Sequence, residues 1–503
     1  MHDIANQARE GGAAAAQPAA AGGIQFRREL TLLDATMLVV GSMIGSGIFI
    51  VSADIARTMG SAGWLLTTWL LSGVVTLVAA LSYGELAGMM PQAGGQYVYL
   101  REIYNPLFGF LYGWTLFLVI QPGTIAAVAV AFAKYTALLV PALSERNVLF
   151  SIAGLHVSAA QVLAIASIAL LTWVNTRGLR EGRLVQDVFT ITKVAALLGL
   201  IVLGLVFGRQ AGAIAQNFGH FWEAFRTRAA SDGTITREAL RGIGLLSALG
   251  AASVGSLFAC DAWNNVTFTA GETKNPRRTV AISLGLGVAI TVVIYMLANV
   301  VYVLALPVTG QPGAPDVLGR GIQFAADDRV GAAAAAMILG PAAAIVVAAA
   351  IMLTTFGCNN GLILAGARVY YAMARDGLFF RATGTLNRRA VPGRALVLQA
   401  IWASALCLSG RYSDLLDYVI FAVLIFYSLS IAGIFILRRR LPDAERPYKA
   451  FGYPIVPALY VLVAVAICVD LLIVKPKYTW PGLAIVALGV PVYYIWRRSS
   501  ARA

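Results

Sequence analysis

The sequence predicts an all-α membrane protein of about twelve transmembrane helices, the first and sixth of them broken. Three observations carry this prediction. Of 503 residues, 59% are hydrophobic and 12% charged, more apolar surface than a folded core can hide from water. Apolar runs that reach the roughly 20 residues a bilayer requires recur along the chain. Two of these runs, five apart in order, are interrupted near their middle by small or polar residues.

Residues 1–28 are rich in Ala and Gly and read as a disordered cytoplasmic tail without a signal-peptide pattern. The apolar runs fall at 30–55, 62–88, 106–140, 159–176, 184–207, 244–270, 279–305, 337–372, 394–409, 415–437, 454–474 and 480–496, each bounded by charges, Pro or Gly. With the N-terminus placed in the cytoplasm, roughly two dozen Lys and Arg fall inside and about a dozen outside, so both termini are expected to be cytoplasmic. The inside set includes Arg177, Arg180, Arg183, the group from Arg368 to Arg394, and Arg438–Arg440. Most outside charges sit in the long 208–243 loop, which counts less. The 306–336 loop is the other large outer one, and the Ala-rich stretch at its end is expected to form a short helix over an outer vestibule.

The net charge of +14 would suggest nucleic acid in a soluble protein. Here the basic residues cluster in short loops without a recognition module, so they anchor loops to one membrane side and no nucleic-acid partner is expected. Cys260, Cys358, Cys407 and Cys468 all lie inside apolar runs without CxxC spacing, which argues against a disulfide or zinc site. His2, His156 and His220 are scattered. No nucleophile–base pair or ligand cluster occurs within the spans, so neither an enzyme, a metal nor a cofactor is expected.

The first run contains Gly41-Ser42-Met43-Ile44-Gly45-Ser46-Gly47-Ile48-Phe49. Each glycine weakens a helix by roughly 1 kcal/mol relative to alanine. Unwound backbone inside a bilayer is tolerated only against protein or a water-filled cavity. Unwinding at Gly45-Ser46-Gly47 presents N–H groups at the start of the next half-helix, a place that suits a carboxylate. The Gly41/Gly45 spacing equally fits close helix packing, and this segment alone leaves both readings open.

The sixth run reads Gly255-Ser256-Leu257-Phe258-Ala259-Cys260-Asp261-Ala262-Trp263-Asn264-Asn265. A mid-membrane carboxylate is expected only facing a cavity or a partner. Asp261 also suits the N-cap of a half-helix starting at Ala262, and cap and amine partner are compatible roles. Carbonyls left at the end of the preceding half-helix would accept from an ammonium. Because the two runs enter from opposite sides, they match an inverted repeat of five helices. Together they define a solute with one negative and one positive end, which fits an α-amino acid.

Lys193 lies roughly 14 Å along the fifth run, too deep for easy snorkelling. An uncompensated charge there costs about 2.5–3.5 kcal/mol, so its ammonium must find carbonyls or a carboxyl, or lose its proton. Glu85, near the inner end of the second run, is expected to form a surface ion pair with loop arginines. Asp34, Asp187, Asp417 and Asp470 lie near span ends or on helix faces and suggest no role, and the tyrosines and tryptophans read as interfacial belts or packing.

Gly41–Phe49 resembles the helix-one motif of the amino acid–polyamine–organocation superfamily. Phe258–Asn264, followed by Glu272-Thr273-Lys274-Asn275-Pro276-Arg277-Arg278, resembles helix six and its exit in the L-type amino acid transporter branch. Ser82–Leu86 through Pro91–Tyr97 resembles that branch's helix two to helix three connection, and Gly357–Gly361 through Arg375-Asp376-Gly377 its helix eight. The resemblance implies a LeuT-type 5+5 inverted repeat, with a ten-helix core over 29–440 and two additional helices with a short tail over 441–503. It implies sodium-independent amino acid transport by alternating access, as an exchanger, in a plasma membrane. Ser46 and Gly47, with Gly45 beside them, should hold the substrate carboxylate. The carbonyls of Ile44, Phe258 and Asp261 should hold the amino group, with Ala259 in the same stretch. Phe258 resembles the family's aromatic gate, and Asn264 and Asn360 match positions near the site. Lys193 stands where relatives outside this branch bind sodium, and would tether helix one.

Two features depart from the pattern. Cys260 replaces a frequent aromatic residue, which alters pocket shape. The outer loop after the third run lacks the cysteine that animal members use to bind an accessory glycoprotein, so no covalently linked subunit is expected, as in members of the bacterial inner membrane. Three alternatives remain: a proton-coupled amino acid or amine permease of the same fold, if Lys193 titrates; a channel; and a membrane sensor, which would usually carry an output domain.

Overall fold

The computed structural model describes residues 28–152, 155–229, 234–409 and 412–500. Apart from Arg28, the tail expected over 1–28 lies outside these residues. Among the described residues eleven helices are long and apolar enough to cross a membrane. A twelfth apolar helix, Gly393–Ser409, has 17 residues. In order the spans are α1 (Leu32–Met43, then Gly47–Ile50 beyond a break), α2 (Ala62–Met89), α3 (Pro106–Leu139), α4 (Ala159–Thr176), α5 (Leu179–Phe207) and α6 (Gly242–Ala259, then Asn265–Phe268). There follow α7 (Pro276–Ala305), α8 (Pro341–Arg375), α9 (Gly393–Ser409), α10 (Tyr412–Arg440), α11 (Ile455–Val474) and α12 (Pro476–Ser500).

Packing follows a five-helix offset. α2 lies against α7, α3 against α8 and α4 against α9. α1 packs on α5 as α6 packs on α10, and α5 touches α8 as α10 touches α3. Equivalent helices of two inverted repeats meet in this way across a shared axis. α11 lies on α10 and α12 on α3, outside that symmetric core.

Terminal polar groups are satisfied locally. Thr31 and Asp34 form a capping box at the start of α1, so Asp34 has a structural role there. Ser158 and Gln161 do the same for α4. Asp417 receives Lys475 at 2.6 Å, which ties α10 to the α11–α12 junction.

The face on which α1 begins is closed by buried ion pairs. Arg368 on α8 donates to both Glu272 oxygens at 3.0–3.1 Å, and both side chains are at most 2% exposed. The Leu30 N–H donates to the Glu272 carbonyl at 3.0 Å, joining the start of α1 to this lock. Tyr97 and Arg101 both reach Asp376. Glu85 forms an ion pair with arginines, but not at the surface: it is 1% exposed and accepts from Arg438 at 2.7 Å, Arg446 at 3.3 Å and the Ala450 N–H at 2.7 Å. Arg438 stands in the last turn of α10, and the segment after it, with Arg446 and Ala450, folds over the end of α2, which turns a surface position into an interior one. Breaking a buried pair of this kind costs about 3–5 kcal/mol.

The opposite face carries more structure than the sequence suggested. The loop after α5 forms a helix, Ala211–Gly219, and a hairpin of Phe225–Ala229 with Ile235–Ala239. A smaller hairpin, Val148–Ile152 with Leu155–Ser158, precedes α4. The expected Ala-rich helix is present as Val330–Leu339. It rests on the broken span: a Cβ built at Gly331 would come within 2.7 Å of the Phe49 ring. The extension of α1, Ser52–Met59, is held by Arg57, which donates to the Gln323 carbonyl at 2.8 Å and to Asp328 at 2.7 Å.

Candidate functional site

α1 loses its helical path at Ile44, whose φ of −71° and ψ of 92° are extended. A helix end leaves its last carbonyls without intrahelical donors. Four carbonyls are freed here, and side chains from three other helices satisfy each of them. Lys193 on α5 donates its Nζ to the Gly41 carbonyl and, at 2.9 Å, to that of Ile44. Cys358 on α8 donates to Ser42 O at 3.0 Å. Tyr295 on α7 reaches Met43 O at 2.8 Å. The ammonium of Lys193 thus has carbonyl partners, which offset the cost of burying it.

Beyond the break the chain re-enters helix at Gly47. The first N–H groups of that half-helix have no intrahelical acceptor by geometry. Gly47 touches the other broken helix: a Cβ built on it would lie 2.5 Å from Ala259 Cβ and 2.9 Å from Ala259 Cα. A Cβ at Gly45 would lie 2.9 Å from Cys358 Sγ. The glycines of the triplet therefore serve close packing as well as chain freedom.

The break in α6 is built differently. Its first half ends at Ala259, and tight turns close the gap: Cys260 N–H donates to Ser256 O at 2.9 Å and Asp261 N–H to Phe258 O at 3.1 Å. Ala262 takes a φ of +65°, an uncommon conformation for a residue with a Cβ. The second half begins at Asn265 and not at Ala262, and no side chain caps it. The expected cap by Asp261 is therefore not formed. The chain turns left-handed at Ala262 before helix resumes, and the carboxylate points instead to α10, where the Tyr427 hydroxyl donates to it at 2.7 Å. Asn264 donates to Gln96 Oε1 at 3.2 Å. Trp263 packs against Tyr83 and Tyr427, with ring centroids 4.9 and 5.0 Å apart.

Tyr295 bridges the two breaks, since its hydroxyl also lies 3.0 Å from Ala259 O. Two small cavities flank the Asp261–Tyr427 pair. One is lined by Gln96, Gln121, Asn264 and Asn265, the other by Val75, Leu257 and Tyr460, and Asp261, Val423 and Tyr427 line both. Each is smaller than an amino acid. Ile44, Ser46, Lys193, Phe258, Ala259, Asp261, Asn264 and Asn360 are at most 8% exposed, so these groups lie buried within the bundle.

The structure thus brings Gly47 against Ala259 and Gly45 against Cys358, and places Lys193 against the same break. Asn360 is drawn aside toward α4, where Asn175 donates to it at 2.8 Å. The carbonyls of Ile44 and Phe258 already accept, from Lys193 and from the Asp261 N–H. Sequence reasoning missed Tyr295, Cys358, Tyr427 and Gln96. One signal was present for Tyr295: it and Asn299 stand four apart on one face of an otherwise apolar span, and Asn299 accepts from Ser52 beyond the α1 break at 2.6 Å.

Comparison with known proteins agrees with this architecture. The amino acid permease family profile matches residues 30–493. The human large neutral amino acids transporter small subunit 2 is 31% identical over 493 residues, covering 96% of this chain and 84% of the relative. The mouse b(0,+)-type amino acid transporter 1 is 26% identical, covering 93% and 88%. The human cystine/glutamate transporter is 28% identical, covering 94% and 86%. The chain therefore belongs to the amino acid permease family, within the amino acid–polyamine–organocation superfamily, as a membrane transporter of amino acids and not an enzyme.

Proposed function

We propose that this chain is a sodium-independent amino acid exchanger that works by alternating access, with the substrate zwitterion held between the breaks of α1 and α6. One observation carries this reading: the two interrupted helices meet, Gly47 against Ala259, inside the bundle. The half-helix N-terminus at Gly45, Ser46 and Gly47 faces the substrate carboxylate. The amino group takes the carbonyls of Ile44, Phe258 and Asp261. The first two already accept, from Lys193 and from the Asp261 N–H, so the substrate ammonium joins or displaces those donors on loading. Phe258 gates the site, and Asn264 and Asn360 shape its edge. Lys193 tethers α1, with its ammonium where a sodium ion would otherwise organise the broken helix.

Because the cavities are smaller than an amino acid, loading requires the bundle to move. The Glu272–Arg368 lock on one face and the Arg57–Asp328 pair on the other are the contacts that such motion breaks in turn. Both termini lie in the cytoplasm, as the distribution of Lys and Arg favours, and the plasma membrane is that of a bacterial cell, as the lack of a cysteine in the outer loop after α3 favours. No covalently linked subunit is attached, since all four cysteines lie on spans.

Labelled-substrate counterflow in proteoliposomes, screened over the amino acids with and without a pH gradient, tests this reading. Acceleration by internal substrate with no gradient effect is expected. Uptake that requires the gradient supports a proton-coupled permease, and non-saturating flux without counterflow a channel.

A further inference from the structure

The face on which α1 begins carries a basic lip that the transport site does not use. α4 ends at Thr176 and α9 begins at Gly393, and these two helices pack side by side. Their outward faces are apolar: Leu170 is 51% exposed, Trp173 54% and Ile401 64%. Such faces meet lipid in a membrane protein. At the end of these faces stand Arg177, Arg388, Arg389 and Arg394, all exposed. The sequence from 377 to 413, which bears three of them, contains no acidic residue. Among the described residues, none of the four forms an ion pair.

The lip is a built feature. Asn387 accepts from the Arg389 and Val391 N–H groups at 2.9 and 3.1 Å and donates to Thr176 O at 3.0 Å. Arg389 reaches the Arg177 carbonyl. Ala390 takes a left-handed φ of +58° to complete the turn. These bonds pin the α8–α9 loop to the end of α4. The Arg177 guanidinium stacks over the exposed Trp173 ring, 4.4 Å from its centroid, which fixes a positive charge at the border between the apolar face and water.

The geometry points to a binding site for the phosphate headgroup of an anionic phospholipid at the ends of α4 and α9, formed by Arg177, Arg388, Arg389 and Arg394. The adjoining apolar faces select a lipid over a free anion: acyl chains lie along Leu170, Trp173 and Ile401 while the arginines hold the headgroup. The site is separate from the breaks of α1 and α6.

Native mass spectrometry of the full chain tests it, after exchange into detergent with phosphatidylglycerol or phosphatidylcholine. Wild type should retain phosphatidylglycerol in preference, and the preference should fall as salt rises. Each arginine-to-glutamine change should weaken retention by about fivefold, near the effect of one basic residue at an anionic leaflet. The quadruple glutamine variant should lose the preference, and the quadruple lysine variant should keep most of it. Equal retention of the two lipids by wild type, or retention unaltered in the quadruple glutamine variant, overturns the proposal. So does displacement of the lipid by inorganic phosphate alone, which marks a free-anion site. If the quadruple variant does not fold, Arg388→Gln and the salt titration of wild type decide, and a preference insensitive to both is fatal to the proposal.

Discussion

The two broken helices solve one problem in opposite ways. In α1 the chain at the break is made of small residues, and its carbonyls are satisfied from outside by Lys193, Cys358 and Tyr295, on three different helices. In α6 the chain satisfies itself through tight turns, and its polar side chains reach outward, Asp261 to Tyr427 and Asn264 to Gln96. The first break is held and the second does the holding. Tyr295 contacts both. The lesson is that interrupted helices in a bilayer need every main-chain group satisfied, but not from the same source. A break satisfied by distant side chains is coupled to the helices that carry them. α1 is thereby linked to α5, α7 and α8, as a span that must move with the bundle requires.

Several substitutions break or sharpen this contrast. Gly47→Leu has the largest expected effect: uptake is lost while the protein still inserts, because the added side chain meets Ala259 and covers the N–H end of the half-helix. Normal uptake by an inserted Gly47→Leu protein would rule out the carboxylate site. Pairing Gly47→Ala with Ala259→Gly separates packing from anion binding. Recovery of uptake in the pair assigns the Gly47→Ala defect to crowding.

Next comes Lys193→Ala, which leaves two carbonyls without their donor. At about 1–3 kcal/mol for each orphaned group, the two together amount to at least about 2 kcal/mol, so turnover should fall roughly 30-fold or more. Rates unchanged at every pH would reduce Lys193 to packing. On the α6 side, Tyr427→Phe removes a hydrogen bond to a carboxylate, worth about 1.5–3 kcal/mol, and should raise the KM for exchange by roughly tenfold. A pure turnover defect would instead place Tyr427 in the moving machinery.

Tyr295→Phe should slow exchange about fivefold, the scale of one neutral hydrogen bond of about 1 kcal/mol. In a double-mutant cycle with Lys193→Ala the effects should be non-additive, since both donors serve the same break. Strict additivity would separate the two tethers. Cys358→Ala, which removes a weak S–H donor, should change turnover by no more than about twofold.

Much of the fold was legible in the sequence, because apolar runs separated by charged loops leave few alternatives to a helical bundle. Both interruptions were legible too, since Gly45-Ser46-Gly47 and Asp261 stand out against apolar neighbours. Their supports were not. Met43 and Tyr295 are 252 residues apart, Ser42 and Cys358 are 316 apart, and a buried tyrosine or cysteine on an apolar helix looks like packing until its partner is known. Glu85 failed for a related reason: the arginines that bury it arrive more than 350 residues later. The Asp261 cap failed because local spacing does not reveal a left-handed turn at the following alanine. The Ala-rich helix near the far face was readable from composition, whereas the hairpin at Phe225–Ala229 was not, being a short paired segment in a charged loop.

The central claim is that both ends of a zwitterion are held at once, and competition in counterflow tests it most directly. Uptake of a labelled amino acid is measured against the same amino acid, its methyl ester and its deaminated acid. The intact amino acid should compete, and each analogue should be at least about 100-fold weaker, as expected when a buried site built for a polar group is left unpaired. Competition by either analogue equal to that of the parent would contradict the two-break site.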